Sequence, residues 1–178
     1  MNTTISTPNS PKPNVFILMG VSATGKTTLG NALADATGGT FYDGDDYHPE
    51  ANRQKMASGN ALNDDDRRPW LEILAKLAYE RSTEPTPTFI ACSALKQSYR
   101  DLLRTHYPAL QFLHLHTDPD VLRERITIRY EAGEHFMPPS LLDSQLATLE
   151  TPTDALRLDV SLAVDTLTNQ FLQWQKTL

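Results

Sequence analysis

The chain has 178 residues, a formal net charge of −6 and a hydrophobic fraction of 39%, which is the composition of an ordinary globular protein. A chain of this length hides roughly 70% of its unfolded surface when it folds, so its core needs neither disulfides nor metal ions. The excess of acids excludes a protein that wraps the nucleic acid backbone, because that function requires clustered Lys and Arg. The single cysteine, Cys92, cannot form an internal bridge and indicates a reducing, cytoplasmic setting. No apolar run approaches the roughly 20 residues that cross a bilayer, so we expect no membrane partner.

Strands and helices are predicted to alternate after a polar first segment. Residues 1–14 are mostly Ser, Thr, Asn and Pro, and they predict a mobile tail. Short apolar runs predict strands at residues 15–19, 40–42, 88–92, 110–115 and 156–160. Helices are predicted at residues 26–36, 70–81, 96–104, 120–129, 141–149 and 161–175. This alternation predicts an α/β fold in which a central parallel five-stranded sheet lies between two layers of helices, as a single domain over residues 15–178.

A phosphate-binding loop lies directly between the first predicted strand and the first predicted helix. Its residues are Gly20, Val21, Ser22, Ala23, Thr24, Gly25, Lys26 and Thr27, followed by Thr28. The two glycines stand five apart and precede Lys and Thr, which is the Walker A pattern. Such a loop points backbone N–H groups and a helix N-terminus at phosphates, while Lys26 reaches the β- and γ-phosphates and the Thr27 hydroxyl holds Mg²⁺. The loop therefore predicts binding of ATP or GTP; the alternative is a glycine-rich turn followed by a surface lysine.

Two carboxylates, Asp43 and Asp45, follow the second predicted strand. The carboxyl ends of parallel strands share one edge of the sheet, so we expect these acids to lie beside the phosphate loop. One of them can bind a water on Mg²⁺, and the other can accept a hydrogen bond from a hydroxyl that attacks the γ-phosphate. A solvated acidic turn is the alternative for this cluster.

Further short blocks accompany these motifs along the chain. They are Asp43-Gly44-Asp45 with His48-Pro49, Asn52, Lys55-Met56 and Gly59; Leu62, Asp64, Asp66-Arg67 and Pro69-Trp70-Leu71; residues 91–96 with Tyr99-Arg100; and residues 135–138 with Leu141-Leu142, Ser144-Gln145 and Leu149-Glu150. In this combination, which spans residues 16–152, the sequence resembles the gluconokinase family. Two departures are visible. The phosphate loop carries Ala23-Thr24 and Thr27 where the family usually has Gly-Ser and Ser, and Ala61 stands where proline is common.

The resemblance implies an ATP-dependent kinase with a fold like that of adenylate and shikimate kinases and a mobile lid at about residues 129–138. It implies transfer of the γ-phosphate of ATP to the 6-hydroxyl of D-gluconate, giving 6-phospho-D-gluconate, with Mg²⁺ as the metal ion. We therefore expect a cytoplasmic enzyme whose partners are ATP and D-gluconate. A homodimer is left open.

Phosphoryl transfer passes through a loose transition state, so such an enzyme mainly aligns two oxygens and neutralises charge on the moving group. We assign that charge to Lys26, Mg²⁺ and Arg129, with Arg125 beside the nucleotide. The two arginines stand four apart, on one face of a predicted helix. The alternative is that they pair with Glu124 or Glu131 on a solvated surface.

The two acids are given separate roles in this interpretation. Asp45 orients and partly deprotonates the attacking hydroxyl, and Asp43 organises Mg²⁺ through water. By analogy with shikimate kinase, the two carboxylates could share or exchange these roles.

Gluconate is a polyol with one carboxylate, so its pocket should offer hydrogen-bonding groups and a fixed cation. Arg67 is the favoured cation, and a local salt bridge to Asp64 or Asp65 is its alternative. The other candidates for contact with substrate, besides Asp45, are His48, Lys55, Ser93, Lys96 and His135. Lys96 alternatively serves only the first turn of its helix, and a lone histidine is often structural.

Two rival functions stay open from the sequence. A kinase of the same fold could act on another small hydroxy acid, such as shikimate, or on a nucleoside monophosphate, although the polar segment 49–70 offers no aromatic platform for a base before Trp70. A nucleotide-dependent switch without turnover would leave the acidic pair and a lid with arginines unexplained. Cys92 and Trp70 are predicted to pack in the core.

Overall fold

The computed structural model describes residues 12–133 and 138–178. Most of the expected tail, residues 1–11, and the middle of the expected lid, residues 134–137, therefore lie outside the described residues. Asn14, the last residue of the expected tail, contacts the sheet, because its carbonyl oxygen accepts a hydrogen bond of 2.7 Å from the Thr88 amide. Within the described ranges, every helix is too short or too polar to cross a membrane.

Strands and helices alternate through the described part of the chain, as the sequence predicts. The strands are β1 (Val15–Met19), β2 (Thr40–Asp43), β3 (Thr88–Ala91), β4 (Gln111–His116) and β5 (Leu156–Asp159). The helices are α1 (Lys26–Thr37), α2 (Glu50–Ala57), α3 (Asp64–Arg81), α4 (Gln97–Leu103), α5 (Pro119–Glu131), α6 (Ser140–Thr148) and α7 (Val164–Gln175). A 3₁₀ turn, Gly44–Tyr47, follows β2 directly.

These strands form one sheet in the order β2-β3-β1-β4-β5, and every neighbouring pair is parallel. β1 lies in the centre, where Ile17 pairs with Ile90 of β3 and with Phe112 of β4. Every residue of β1 is fully buried, which explains why its sequence is a continuous apolar run rather than an alternating one. The predicted parallel five-stranded sheet is confirmed.

Successive residues of β1 point to opposite faces of the sheet, and each face has its own core. Ile17 lies in one core with Trp70 of α3 and with Cys92. Phe16 lies in the other core and makes an edge-to-face contact with Phe171 of α7, with ring centroids 5.0 Å apart. Burial raises the pKa of the Cys92 thiol to about 12, which suits a packing residue rather than a nucleophile. Helices thus cover both faces, and the expected three-layer α/β/α architecture is confirmed.

Helix α2 lies in a segment where the sequence pattern predicts no helix. Its buried residues are Asn52 and Met56, so it lacks the broad apolar stripe by which a helix is recognised. Tertiary contacts hold it instead. Asn52 Nδ2 donates to the carbonyl oxygen of Asp66 at 2.7 Å, and Lys55 Nζ donates to the Asp66 carboxylate at 2.6 Å. α2 is therefore anchored to the start of α3.

Helix α3 begins at Asp64 rather than at the predicted Trp70. A capping box explains the earlier start. Asn63 Oδ1 accepts a hydrogen bond of 2.8 Å from the Asp66 amide, and the Asp66 carboxylate accepts one of 2.8 Å from the Asn63 amide. Three consecutive acids, residues 64–66, occupy the first turn, where the helix dipole favours negative charge.

The burial of His114 on β4 makes the free energy of unfolding depend on pH. Both of its ring nitrogens are buried without a hydrogen-bond partner in the described part of the chain, and burial, assisted by His116 and Arg157, lowers the pKa of His114 to about 4. The unfolded chain takes up this proton near pH 6.5, so between about pH 6.5 and 4 the unfolded state binds more protons than the folded state. The free energy of unfolding therefore falls as the pH falls through this window, by at most about 1.4 kcal/mol per pH unit for this residue.

The variant His114→Met should remove that contribution. We expect the slope of the unfolding free energy against pH, measured by urea denaturation between about pH 6.5 and 4.5, to decrease by close to one proton. His106→Gln, at an exposed position, is the control for the loss of a histidine. An unchanged slope in His114→Met would contradict a neutral, buried His114.

Candidate active site

The phosphate loop connects β1 to α1 at the carboxyl edge of the sheet. Gly20 has a φ of +142°, and a Cβ there would lie 2.5 Å from the carbonyl oxygen of Leu115 on β4, so the position requires glycine. Ala23 has a φ of +65°, in the left-handed region that costs a residue with a side chain about 1–2 kcal/mol. The departure from the family pattern at Ala23 is therefore accommodated at a small cost in stability.

Lys26 begins α1, and its ammonium group folds back over the loop. Nζ donates to the carbonyl oxygens of Gly20 and Val21, each at 3.0 Å. Burial lowers the pKa of Lys26, and the nearby carboxylate of Asp45 opposes that effect. The ammonium is thereby fixed between the phosphate loop and the acidic residues that follow β2.

Thr27 and Asp43 place two oxygen atoms that can bind a metal ion side by side at the N-terminus of α1. Thr27 Oγ1 donates to Asp43 Oδ2 at 3.0 Å, and Asp43 Oδ1 accepts a hydrogen bond of 3.1 Å from the Asp45 amide. Mg²⁺ prefers a few protein oxygens together with waters and substrate phosphates, so this pair fits that ion. Across residues 12–133 and 138–178, no cluster of three or more His, Cys, Asp or Glu is arranged to hold a metal. The pair alone would leave most positions around such an ion to waters and to other ligands.

Asp45 lies on the 3₁₀ turn and close to Lys26. Burial raises the pKa of Asp45, although 49% of its side chain is open to the cleft, and the charge of Lys26 opposes the rise. The raised pKa makes this carboxylate a stronger proton acceptor than an ordinary aspartate. His48 Nε2 lies 3.8 Å from Asp45 Oδ1, and burial lowers the pKa of His48 to about 4. His48 is therefore neutral near pH 7.

Trp70 of α3 fixes the turn that carries these residues. Its ring stacks on His48, with centroids 4.0 Å apart and an interplanar angle of 17°, and its Nε1 donates to the carbonyl oxygen of Gly44 at 2.7 Å. A Cβ on Gly44 would lie 2.0 Å from the carbonyl oxygen of Ala91, so the turn packs directly on the backbone of β3. Trp70 is buried in the core, as predicted, and it also holds the turn through its indole N–H.

Two pockets meet at Ser22, Lys26 and Asp45, which line both of them. The loop pocket is lined further by Ala23, Gly25, Thr27, Thr28, Asp43, Asp46, Ala91, Arg125, Ile128 and Arg129. The inner pocket is lined further by His48, Met56, Ala61, Leu62, Arg67, Trp70, Ser93, Leu95, Leu141, Ser144 and Gln145. A lysine and a carboxylate therefore stand where the phosphate loop faces the inner pocket.

Some of the site residues predicted from the sequence line these pockets, and others lie outside them. Those assigned to the nucleotide, the metal ion or the moving phosphoryl group that line the loop pocket are Ser22, Ala23, Gly25, Lys26, Thr27, Thr28, Asp43, Arg125 and Arg129. Those assigned to substrate that line the inner pocket are Asp45, His48, Arg67 and Ser93. Lys55 and Lys96 line neither pocket, because each is held in an ion pair outside, with Asp66 at 2.6 Å and with Asp64 at 2.8 Å. His135 lies outside the described residues.

The three arginines of the site are Arg67, Arg125 and Arg129, and each of them lines one of the two pockets. Arg67 Nη1 donates to the Tyr99 hydroxyl at 3.2 Å, and Arg125 Nη2 donates to the carbonyl oxygen of Val160 at 3.2 Å. Among the described residues, neither of these arginines nor Arg129 forms an ion pair with the neighbouring acids considered from the sequence. Each guanidinium group therefore stands at a pocket without such a local salt bridge, although Asp64 and Asp66 still attract the charge of Arg67.

Gln145 of α6 has a contact that the sequence motifs leave unassigned. Its Oε1 accepts a hydrogen bond of 2.7 Å from the backbone N–H of Ser22, so α6 contacts the phosphate loop where the two pockets meet. The signal for it in the sequence is the Ser144-Gln145 block of the family resemblance. Met56 and Leu141, which pack together on the apolar side of the inner pocket, also stand in blocks of the family resemblance, Lys55-Met56 and Leu141-Leu142, but those blocks assign them no role.

Comparisons with known proteins identify the family of this chain. A family model described as an AAA domain matches residues 15–152. The thermosensitive gluconokinase of Escherichia coli (strain K12) is 43% identical over 162 residues, which cover 89% of this chain and 85% of that protein. The chain belongs to the AAA domain family and to the gluconokinase family.

Two solved structures share the fold at similar identity. A sugar kinase from Janibacter sp. HTCC2649 has a TM-score of 0.84 and 41% identity, covering 92% of this chain and 95% of that chain. A gluconokinase from Sinorhizobium meliloti 1021 has a TM-score of 0.78 and 40% identity, covering 94% of each chain. The gluconokinase resemblance drawn from the motifs is confirmed.

The variant Trp70→Phe tests the bond between α3 and the 3₁₀ turn in this gluconokinase-family chain. Phenylalanine keeps an aromatic ring against His48 but cannot donate to the Gly44 carbonyl, so we expect the free energy of unfolding in urea to fall by about 1–3 kcal/mol. Trp174→Phe, at a half-buried position packed against the core on the other face of the sheet, is the control for the loss of an indole. Equal losses in the two variants would count against a specific role for the Trp70 hydrogen bond.

Proposed function

We propose that this chain is an ATP-dependent gluconokinase, which transfers the γ-phosphate of ATP to the 6-hydroxyl of D-gluconate and gives 6-phospho-D-gluconate. The observation that carries the proposal is the junction of the loop pocket and the inner pocket at Ser22, Lys26 and Asp45. A phosphoryl donor in the loop pocket and an acceptor in the inner pocket meet at this junction. There the ammonium group of Lys26 faces the phosphoryl group, and the carboxylate of Asp45 faces the acceptor hydroxyl. Gluconokinases that are 43% and 40% identical to this chain support D-gluconate as the acceptor.

The loop pocket binds ATP in this proposal. Backbone N–H groups of the phosphate loop and the N-terminus of α1 hold the phosphates, and Lys26 bridges the β- and γ-phosphates. Thr27, through its hydroxyl, and Asp43, through a water, would hold Mg²⁺, and the ion would supply charge that neutralises the phosphate oxygens. Arg125 and Arg129 approach the same phosphates from α5 and add positive charge.

The inner pocket binds D-gluconate. Arg67 receives the carboxylate, for which a guanidinium is well suited because it donates two parallel hydrogen bonds. Ser93 and the neutral imidazole of His48 bind hydroxyl groups of the sugar acid. Asp45 accepts a hydrogen bond from the 6-hydroxyl and takes its proton as that oxygen bonds to the γ-phosphorus and the bond from the γ-phosphorus to the leaving oxygen of ADP breaks.

A coupled assay that follows ADP formation with D-gluconate, shikimate and AMP as acceptors tests the proposal. We expect saturable turnover of D-gluconate and a phosphate ester at C6 in the product. Efficient turnover of shikimate or AMP alone would replace this function by that of a related kinase. Binding of ATP without turnover of any acceptor would replace it by a nucleotide-dependent switch.

The variant Asp45→Asn separates proton transfer from nucleotide binding. The amide can still contact the 6-hydroxyl but cannot take its proton, so we expect kcat to fall by about 10²–10⁴-fold. The affinity for ATP, measured by titration calorimetry, should stay close to that of the unaltered protein. Asp35→Asn, at an exposed position of α1, is the charge-matched control. A large loss of ATP affinity in Asp45→Asn would instead place Asp45 at the metal ion and exchange its role with Asp43.

A further inference from the structure

Four polar side chains beside the inner pocket form one connected series of hydrogen bonds. Lys96 Nζ donates to both carboxylate oxygens of Asp64, at 2.8 and 2.9 Å, and the hydroxyl of Tyr99 donates to Asp64 Oδ1. Arg67 Nη1 in turn donates to the Tyr99 oxygen at 3.2 Å. Asp64 and Arg67 stand at the start of α3, whereas Lys96 and Tyr99 stand at the start of α4. The series therefore joins two helices and ends at the guanidinium that lines the inner pocket.

Tyr99 is the centre of this series and does not itself reach the inner pocket. It is buried, with 5% of its surface exposed, and it is absent from the lining of both pockets. Its hydroxyl gives its one proton to Asp64 and offers a lone pair to Arg67. The guanidinium carbon of Arg67 also lies 5.6 Å from the centroid of the Tyr99 ring, within the range of a cation–π contact. Hydroxyl and ring together fix the position of the Arg67 guanidinium.

The ionisation states set the direction of each hydrogen bond. Hydrogen bonds from Lys96 and Tyr99 lower the pKa of Asp64, and burial, followed by the hydrogen bond to Asp64, raises the pKa of Tyr99. Asp64 is therefore a carboxylate and Tyr99 a neutral phenol near pH 7. Arg67 donates to a neutral oxygen. Asp64 and Asp66 attract its charge, but among the described residues neither forms an ion pair with it, so the guanidinium can pair with an anionic group in the inner pocket.

Resting on the proposed function, we propose that Tyr99 is a positioning residue for substrate: held by Asp64 and Lys96, it locks the Arg67 guanidinium in the orientation that receives the carboxylate of D-gluconate. An arginine side chain has many rotamers, and ordering it before the ligand arrives removes an entropic cost from binding. The carboxylate of gluconate lies at the opposite end of the molecule from C6. Tyr99 therefore acts on the binding of gluconate and leaves the phosphoryl-transfer step unchanged.

The variant Tyr99→Phe keeps the ring and removes the hydroxyl. We expect the KM for D-gluconate to rise by about tenfold, the factor that corresponds to one hydrogen bond to a charged group. The kcat and the KM for ATP should stay within about twofold of the unaltered protein, because the nucleotide and the reacting atoms are untouched. Steady-state kinetics with each substrate varied in turn measure all three. Tyr107→Phe, whose hydroxyl contacts Asn14 at the other end of the sheet, is the matched control.

A double-mutant cycle shows whether Tyr99 acts through Arg67. Arg67→Ala should lower kcat/KM for D-gluconate, and adding Tyr99→Phe to it should lower that ratio no further. An equal loss in both backgrounds, a fall of kcat together with a rise of the KM for ATP, or an unchanged KM for D-gluconate in Tyr99→Phe would each overturn the positioning role. Failure of the unaltered protein to phosphorylate D-gluconate would reject the proposed function and this inference with it, so the two failures are distinguishable.

Discussion

A cleft that receives two anions needs positive charge that the chain as a whole, with a net charge of −6, does not supply. The cations that face the cleft donate their hydrogen bonds to neutral acceptors, Lys26 to backbone carbonyl oxygens and Arg67 to the hydroxyl of Tyr99, although Asp45 also attracts the charge of Lys26. Lys55 and Lys96, which lie outside it, are held by carboxylates. A cation paired with a carboxylate has little field left for a ligand, whereas one held by a dipole keeps most of it. In the proposed function, the choice of hydrogen-bond partner separates the cations that bind ligands from the cations that join helices.

The start of α3 determines where several of these side chains lie in the cleft. Its capping box fixes where the helix begins, and α2 supports that start through contacts to Asp66. Arg67 and Trp70 stand three apart, so they lie on one face of the helix, and both line the inner pocket. Trp70 then holds Gly44, and with it the turn that carries Asp45. A single helix start thereby positions both Arg67 and Asp45, which the proposed function assigns to the acid group and to the reacting hydroxyl.

The sheet and the loop pocket could be predicted because their signals are local: strands buried on both faces are apolar runs, and the phosphate loop has a fixed spacing. The inner pocket could be predicted only in part. Arg67, Lys55 and Lys96 each stand within reach of several acids in the sequence, and the partner of each is decided by how α2, α3 and α4 pack. Trp70 is apolar enough to predict a core position, but its hydrogen bond to Gly44 joins residues 26 positions apart. Contacts between residues so far apart cannot be predicted from local sequence spacing. The partners of Arg67, Lys55 and Lys96 therefore stay undecided until the helices are placed.

Lys26 and Asp45 link the two halves of the proposed reaction. The charge of Lys26 lowers the pKa of Asp45 against the larger effect of burial, and Asp45 raises the pKa of Lys26 against burial in the same way. Their attraction opposes the effect of burial, which favours the uncharged form of both groups. When the phosphoryl group draws on the charge of Lys26, the support for the ionised form of Asp45 weakens, and the carboxylate becomes a stronger acceptor for the hydroxyl proton. In the proposed reaction, the same attraction therefore favours proton removal at the stage when the phosphoryl group moves toward the acceptor.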